Sequence, residues 1–182
     1  TATVTVDVTD VNDAPVVVGA TLNEDENSGA GAVGTVAASD ADGDTLTYSI
    51  TAGDAGGLFS INADTGELHQ GGTLDFETAA QHVLTVTVND GALTGGATVT
   101  VNVTDVNEAP VGAADITVAT NENEGVTSLT TLAATDVDAG NTLTYSISAG
   151  DAGGLFSINV SSGELHQLGA LDFETGPQHV LT

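Results

Sequence analysis

The sequence contains no lysine, no arginine, no cysteine, no methionine and no tryptophan. Without lysine or arginine there is no basic footprint to meet phosphates, which argues against nucleic-acid binding. Attachment to an anionic membrane surface is disfavoured on the same ground. Without cysteine no disulfide staples the fold, and cysteine usage does not fix the redox compartment. Aromatic residues make up 3% of the chain, so any core is built from aliphatic side chains. No apolar run reaches the length of about 18 residues that reads as a membrane-spanning helix. No signal peptide is recognisable and Thr1 is not an initiator methionine, so the expectation is a window from a longer chain.

What remains is acidic and β-branched. The 182 residues carry 26 Asp and Glu and a formal charge of −26, a length suited to about two ordinary domains. Scattered acids are accounted for by a solvated surface. Acids gathered at particular joints, with no basic partner available, point to bound cations or a high-salt setting.

Two stretches organise the chain: Asp10-Val11-Asn12-Asp13-Ala14-Pro15 and Asp105-Val106-Asn107-Glu108-Ala109-Pro110. Each follows a run of alternating β-branched residues, Thr3 to Thr9 and Thr98 to Thr104, and each precedes a new apolar run. A strand ends, an acidic hinge with proline intervenes, and another strand begins. The spacing, 105 − 10 = 95 residues, is the length of one β-sandwich module. Three pieces are expected: residues 1–13, the last strand and joint of a preceding repeat; 14–108, one complete repeat; and 109–182, a second repeat truncated before its last strand.

In the complete repeat, strands are expected at Val16–Leu22, Val33–Ala38, Thr45–Ile50 (Leu46, Tyr48 and Ile50 inward), around Phe59 and Ile61, at Glu67–Gln70, and as a final pair, His82–Val88 and Ala97–Val103. The final pair is joined by Asn89-Asp90-Gly91. No segment has sustained helical periodicity. The second repeat copies the first: Leu143–Ile147 repeats Leu46–Ile50, and Asp151–Asn159 repeats Asp54–Asn62. The offset grows from 96 at Asp40/Asp136 to 97 at Leu46/Leu143, so one residue enters near Ala139-Gly140. Thr182 matches Thr85. The fold class read from this pattern is all-β, with tandem Greek-key, immunoglobulin-like sandwich modules.

Acids recur at fixed places in each repeat: Glu26, Asp40, Asp42, Asp75, Glu77 and Asp90, then Glu122, Asp136, Asp138, Asp172 and Glu174. Most fall in or beside loops, and a sandwich collects its loops at two ends, so acids distant in sequence converge next to a joint. Six to eight hard oxygen ligands suit Ca2+, whereas Mg2+ demands stricter octahedral geometry.

These motifs resemble the cadherin repeat. The joint Asp-x-Asn-Asp-x-x-Pro is Asp10 to Pro15, with Glu108 in place of the second Asp at Asp105 to Pro110. The Glu-Asn of the opening segment is Glu26-Asn27 and Glu122-Asn123. The Asp-x-Asp is Asp40-Ala41-Asp42 and Asp136-Val137-Asp138. The Leu-Asp-x-Glu is Leu74 to Glu77 and Leu171 to Glu174, and the lone Asp before the last strand is Asp90. The cation-free, Thr/Val-rich style is closer to tandem repeats of large bacterial surface adhesins than to animal cadherins. The resemblance implies a cadherin-type sandwich with Ca2+ between consecutive repeats. At the second joint it implies Glu26, Asp75 and Glu77 from the repeat before, and Asp105, Asn107 and Glu108 with backbone oxygens near Val106 and Ala109 from the joint. Asp136, Asp138 and Asn141 come from the repeat after. At the first joint it implies Asp10, Asn12, Asp13 and the Ala14 backbone with Asp40, Asp42, Asp44 and Asp90, only the downstream ion being well held.

Other signals are weaker. Asp40-Ala41-Asp42-Gly43-Asp44 begins like an EF-hand loop but has Thr45 where glycine is required and Thr51 where Glu is required. His69, His82, His166 and His179 are one pair present twice, and read as surface histidines rather than a transition-metal site. A triad of Ser60, His69 and Asp64 has no oxyanion hole to work with. Asn102-Val103-Thr104 and Asn159-Val160-Ser161 fit the glycosylation sequon, a common match in so Thr-rich a chain. The function read from the sequence is non-enzymatic: an extracellular, cell-surface stalk or fibre segment whose joints are stiffened by Ca2+, with neighbouring repeats of the same long chain as partners. The rival readings are direct adhesion, homophilic or to glycans, and a filament in which strand 1–9 pairs with the incomplete final module of another copy.

Overall fold

The computed structural model describes residues 1–112 and 114–182 and divides into two compact units, Thr1–Val106 and Asn107–Thr182. Every regular element among the described residues is a β-strand.

In the first unit the strands are β1 (Val16–Val17), β2 (Ala20–Asp25), β3 (Gly31–Thr35), β4 (Ala38–Ser39), β5 (Thr47–Ala52), β6 (Phe59–Ile61), β7 (Glu67–Gln70), β8 (Gln81–Asn89) and β9 (Thr94–Thr104). One sheet runs β2-β9-β8-β5 and the other β3-β7-β6, with β1 and β4 as a short antiparallel pair. The period-two alternation sets the core. Leu84, Val86 and Val88 of β8 and Val99 and Val101 of β9 are wholly buried, and Leu68 of β7 and Phe59 of β6 face them from the other sheet. Leu46, Tyr48, Ile50 and Ile61 pack against this cluster as their alternation requires. Each fully buried Val or Leu contributes about 1.5–3 kcal/mol, so an aliphatic core suffices where aromatics are scarce.

The expected first strand, Val16–Leu22, is divided. β1 pairs with β4, then the chain switches sheets at Val18–Gly19 and β2 runs parallel to β9, from Ala20 beside Val99 to Asp25 beside Thr104. Gly19 permits the switch, since a Cβ there would sit 2.9 Å from the Thr98 carbonyl oxygen. Gly95 is tighter still, because a Cβ would overlap the Pro15 carbonyl, whereas at Gly96 it would stand an ordinary 3.4 Å from the Val86 carbonyl. Gly95→Ala is therefore expected to destabilise the first unit by about 1–3 kcal/mol, while Gly96→Ala changes little. Chemical denaturation of the two variants checks this, and equal effects would contradict it.

Residues 1–9, expected as a half-buried strand, lie in no strand. Val4, Val6 and Val8 are 84%, 79% and 92% exposed. Alternation creates an apolar face but not a neighbour to cover it, and a ladder needs both.

The second unit holds β10 (Val111–Gly112), β11 (Thr127–Thr131), β12 (Ala134–Thr135), β13 (Phe156–Ile158) and β14 (Glu164–Gln167). β11-β14-β13 reproduces β3-β7-β6, including the register shift between Ser128 and Thr130 that matches the one between Ala32 and Gly34. Leu143–Ile147 has the residues of Leu46–Ile50 but forms no strand. β5 is held along its length by β8, from Thr47 beside Asn89 to Ala52 beside Thr85. In the second unit that ladder is represented by Ser148 and Ala149 donating to the Thr182 carbonyl and Thr182 donating to Ala149.

Candidate metal centre

At one end of the first unit, three segments meet: the joint before Pro15, the loop after β4 and the turn between β8 and β9. The Asp40–Asp44 loop wraps round its own first carboxylate. Asp40 Oδ1 accepts the Asp42 N–H at 2.9 Å and the Asp44 N–H at 3.4 Å. Gly43, at φ +79°, makes the turn. Asp42 Oδ2 accepts the Asp13 N–H at 2.7 Å, tying loop to joint. Carboxylate oxygens of Asp40, Asp42 and Asp44 lie within 4.8 Å of one another. Asp40 Oδ2 is buried without a hydrogen-bond partner. A buried carboxylate oxygen beside two other carboxylates, in a protein with no Lys or Arg, is an arrangement that calls for a cation.

Asp90 completes this end. Its Oδ1 accepts the Leu93 and Ala92 N–H groups at 2.6 and 2.7 Å, and its Oδ2 accepts the Asn12 amide at 2.9 Å. These donors favour the charged form, the Leu93 N–H most, then Ala92, then Asn12, and hold the carboxyl below its ordinary value. A folded-state pKa below the unfolded one adds stability that is full at neutral pH and lost as the pH falls through the lowered value. The stability advantage of the native chain over Asp90→Asn, measured in chelator, is thus expected at pH 7 and gone by about pH 3. An advantage unchanged across that range would contradict the assignment. Asp10 and Ala14 lie exposed in the same joint.

At the other end of the first unit, Glu26 follows β2 directly and is 3% exposed. Its Oε1 accepts the Val106 N–H and its Oε2 the Phe76 N–H, both at 2.9 Å. Asn27 then takes φ +59° and donates its N–H to the Leu74 carbonyl at 3.2 Å. Asn123, after Glu122, repeats both the φ and the bond, to Leu171. The Glu-Asn pair is thus one device: asparagine tolerates the left-handed conformation that turns glutamate inward. Asp75 accepts both the N–H and the hydroxyl of Thr78 at 2.9 Å, the N–H foremost in lowering its pKa. A carboxylate oxygen of exposed Glu77 lies within 4.8 Å of one of Glu26 and of one of Asp105.

The second unit begins with the same joint geometry. Asp138 Oδ2 accepts the Glu108 N–H at 2.9 Å and Asp136 Oδ1 accepts the Asp138 N–H at 3.0 Å, as Asp42 and Asp40 do with Asp13 and Asp42. The Asn107 amide donates to the Glu108 carbonyl, as Asn12 does to Asp13. Asn141 stands where the first repeat has Asp44. Its amide NH2 points at Asn107 Oδ1, Asp136 Oδ1 and Asp138 Oδ2, at 3.2, 3.3 and 3.3 Å. Three oxygens converging on one neutral donor again mark a place for positive charge. Val106 and Ala109, expected to offer backbone oxygens, are exposed. The second unit also gathers Glu122, Asp172 and Glu174 within 4.8 Å, the copy of Glu26, Asp75 and Glu77. The sequence marks these three as recurring acids without assigning them an ion.

All these donors are carboxylate or amide oxygens, the set suited to hard cations and not to soft ones. The histidines are used singly. His69 pairs with Glu67 and His166 with Glu164, while His82 and His179 stand edge-on to Phe59 and Phe156.

Comparison with known proteins agrees with this arrangement. The cadherin domain profile matches residues 20–104 and 116–182. Human protocadherin Fat 4 is 40% identical over 131 residues, covering 66% of this chain and 3% of that protein, and human protocadherin Fat 1 is 38% identical over 151 residues, covering 76% and 3%. The chain thus spans a small fraction of the length of these relatives. The structure of human protocadherin-24 EC1-2 superposes with a TM-score of 0.71 at 28% identity, covering 88% of this chain and 82% of that one. The fold is an all-β, cadherin-type sandwich, and the module is extracellular, of the cell-surface kind. Among the described residues no helix is long and apolar enough to cross a membrane. By profile match over most of its length, the chain belongs to the cadherin domain family.

Proposed function

We propose that this chain is a non-enzymatic segment of an extracellular adhesin stalk whose joints are stiffened by Ca2+. The observation that carries the reading is the buried, partnerless Oδ2 of Asp40 in a carboxylate cluster, in a chain with no Lys or Arg to neutralise it. The repeat of that loop geometry at Asp136 and Asp138 supports the same use twice.

In this reading Asn12, Asp13, Asp40, Asp42, Asp44 and Asp90 hold an ion at the first joint. At the second, Glu26, Asp75, Glu77 and Asp105 serve from one repeat, and Asn107, Glu108, Asp136, Asp138 and Asn141 from the next. The ion supplies two positive charges, so carboxylates that otherwise repel share one partner. The proteins' own residues do the rest: glycine and Asx turns aim the oxygens, and the proline-marked joint limits the chain's freedom. A bacterial surface adhesin as parent is supported by the cation-free composition, whereas the relatives named above are human.

Small-angle scattering with and without chelator tests the stiffening. Chelation is expected to broaden the interparticle-free distance distribution and shorten its mean extension. Identical distributions in Ca2+ and in chelator would contradict a mechanical role.

A further inference from the structure

Residues Ala2 to Asn12 repeat Ala97 to Asn107, with Asp7 for Asn102 as the single difference. In the first unit the latter stretch is most of β9, the strand that fits between β2 and β8 with Val99 and Val101 wholly buried. The former stretch exposes its three matching valines. The chain thus carries two copies of one strand, one filling a slot and one with its apolar face uncovered.

The second unit has the complementary feature. Residues 116–121 copy β2 and residues 178–182 copy Gln81–Thr85 of β8, yet neither is in a ladder as a strand. Ile116 and Val118 are 48% and 38% exposed, whereas their counterparts Ala20 and Leu22 pack against the core of the first unit. Leu181, the counterpart of wholly buried Leu84, is only half-buried. Both flanks of a β9 slot are present and nothing among the described residues lies between them.

We propose that residues 2–9 of one copy of this chain add as a strand to the second unit of another copy. The strand lies parallel to 116–121 and antiparallel to 178–182. The register follows from β9. Val99 is beside Ala20 and Leu84, and Val101 is beside His82. Val4 therefore lies beside Ile116 and Leu181, and Val6 beside His179. A slip of one residue would turn Val4, Val6 and Val8 outward, so the apolar face fixes this register. Backbone ladder bonds supply affinity and the valines specificity. The contact is head-to-tail, so copies add without closing. The uniform negative charge of the chain opposes association, so screening salt at about 0.15 M favours it.

The inference is independent of the calcium reading and is tested in chelator. Light scattering on the 182-residue chain from about 10 µM to about 1 mM is expected to show mass rising above that of one copy. Val6→Asp lies outside the core of the first unit, so folding is retained. It places a charge in the slot and is expected to weaken association by at least about a hundredfold. A fluorescent peptide of residues 2–9 is expected to bind the Val6→Asp chain and to hold the native chain as a single copy. A native chain that stays single at every concentration overturns the proposal, whether because the segment docks on its own second unit or docks nowhere. So does association that Val6→Asp leaves unchanged, or failure of the peptide to bind.

Discussion

Adding Ca2+ to the chelated protein is expected to raise its unfolding midpoint by more than any single substitution on its surface. An ion that binds the folded form alone adds about 2.7 kcal/mol per site at a hundredfold excess over Kd, and about 4.1 kcal/mol at a thousandfold. For units of this size each kcal/mol shifts the midpoint by about 4–8 °C, so one site gives a shift of more than about 10 °C. The physical cause is charge. The chain carries 26 acids and no Lys or Arg, and at least three of the acids place oxygens within 4.8 Å of one another. Two like charges at that range cost about 1 kcal/mol in water, and more where the protein excludes it. NaCl at matched ionic strength screens the general repulsion but cannot bind six to eight oxygens at once, so it is expected to give a much smaller shift. Mg2+, which prefers a smaller octahedron and retains its waters, is expected to fall between. Calorimetric melts of the native chain and of Asp40→Asn/Asp42→Asn separate these cases: the double variant should lose much of the Ca2+ shift and little of the NaCl shift.

Glu26→Ala is expected to destabilise the first unit by about 3 kcal/mol even in chelator. Were Glu26 only an ion ligand, removing it without calcium would relieve repulsion and stabilise the chain. Instead its two oxygens accept the Phe76 and Val106 N–H groups from segments 50 and 80 residues away, and it is 3% exposed. Each hydrogen bond to a charged group is worth about 1.5–3 kcal/mol. Alanine leaves both donors without that acceptor. Glu122→Ala makes the comparison, because Glu122 is exposed and its bond to the Phe173 N–H is a longer 3.3 Å. Its cost is expected below about 1 kcal/mol. Urea titrations in chelator check both. A neutral or stabilising Glu26→Ala would mean that the carboxylate serves the ion alone.

Much of this was legible in the residues. Strict alternation through β8 and β9, and through Leu46, Tyr48 and Ile50, gave strands and their inward faces, because a two-residue period is a local property. The recurrence of Glu26, Asp40, Asp42, Asp75 and Glu77 marked the acids that the loops bring near the joints. What the residues did not disclose was set by partners. Thr3–Thr9 and Thr98–Thr104 alternate alike, yet one is uncovered and the other central, since only β9 has neighbours on both sides. Leu143–Ile147 lacks the long partner that makes a strand of Leu46–Ile50. The sheet switch at Gly19 depends on the approach of Thr98, far away in sequence. Glu26 as a tie between Phe76 and Val106, and Asn27 as the left-handed residue that aims it, needed coordinates for the same reason.

The central claim is that a divalent ion takes oxygens from both sides of the proline-marked seam at Asp105 to Pro110. Anomalous diffraction from crystals grown with calcium locates such an ion directly. The account expects density within about 2.3–2.6 Å of oxygens from Glu26, Glu77 or Asp105 and, in the same coordination sphere, from Asp136 or Asp138. Crystals in which those carboxylates bind only water, or in which each ion is held by one repeat alone, would contradict it.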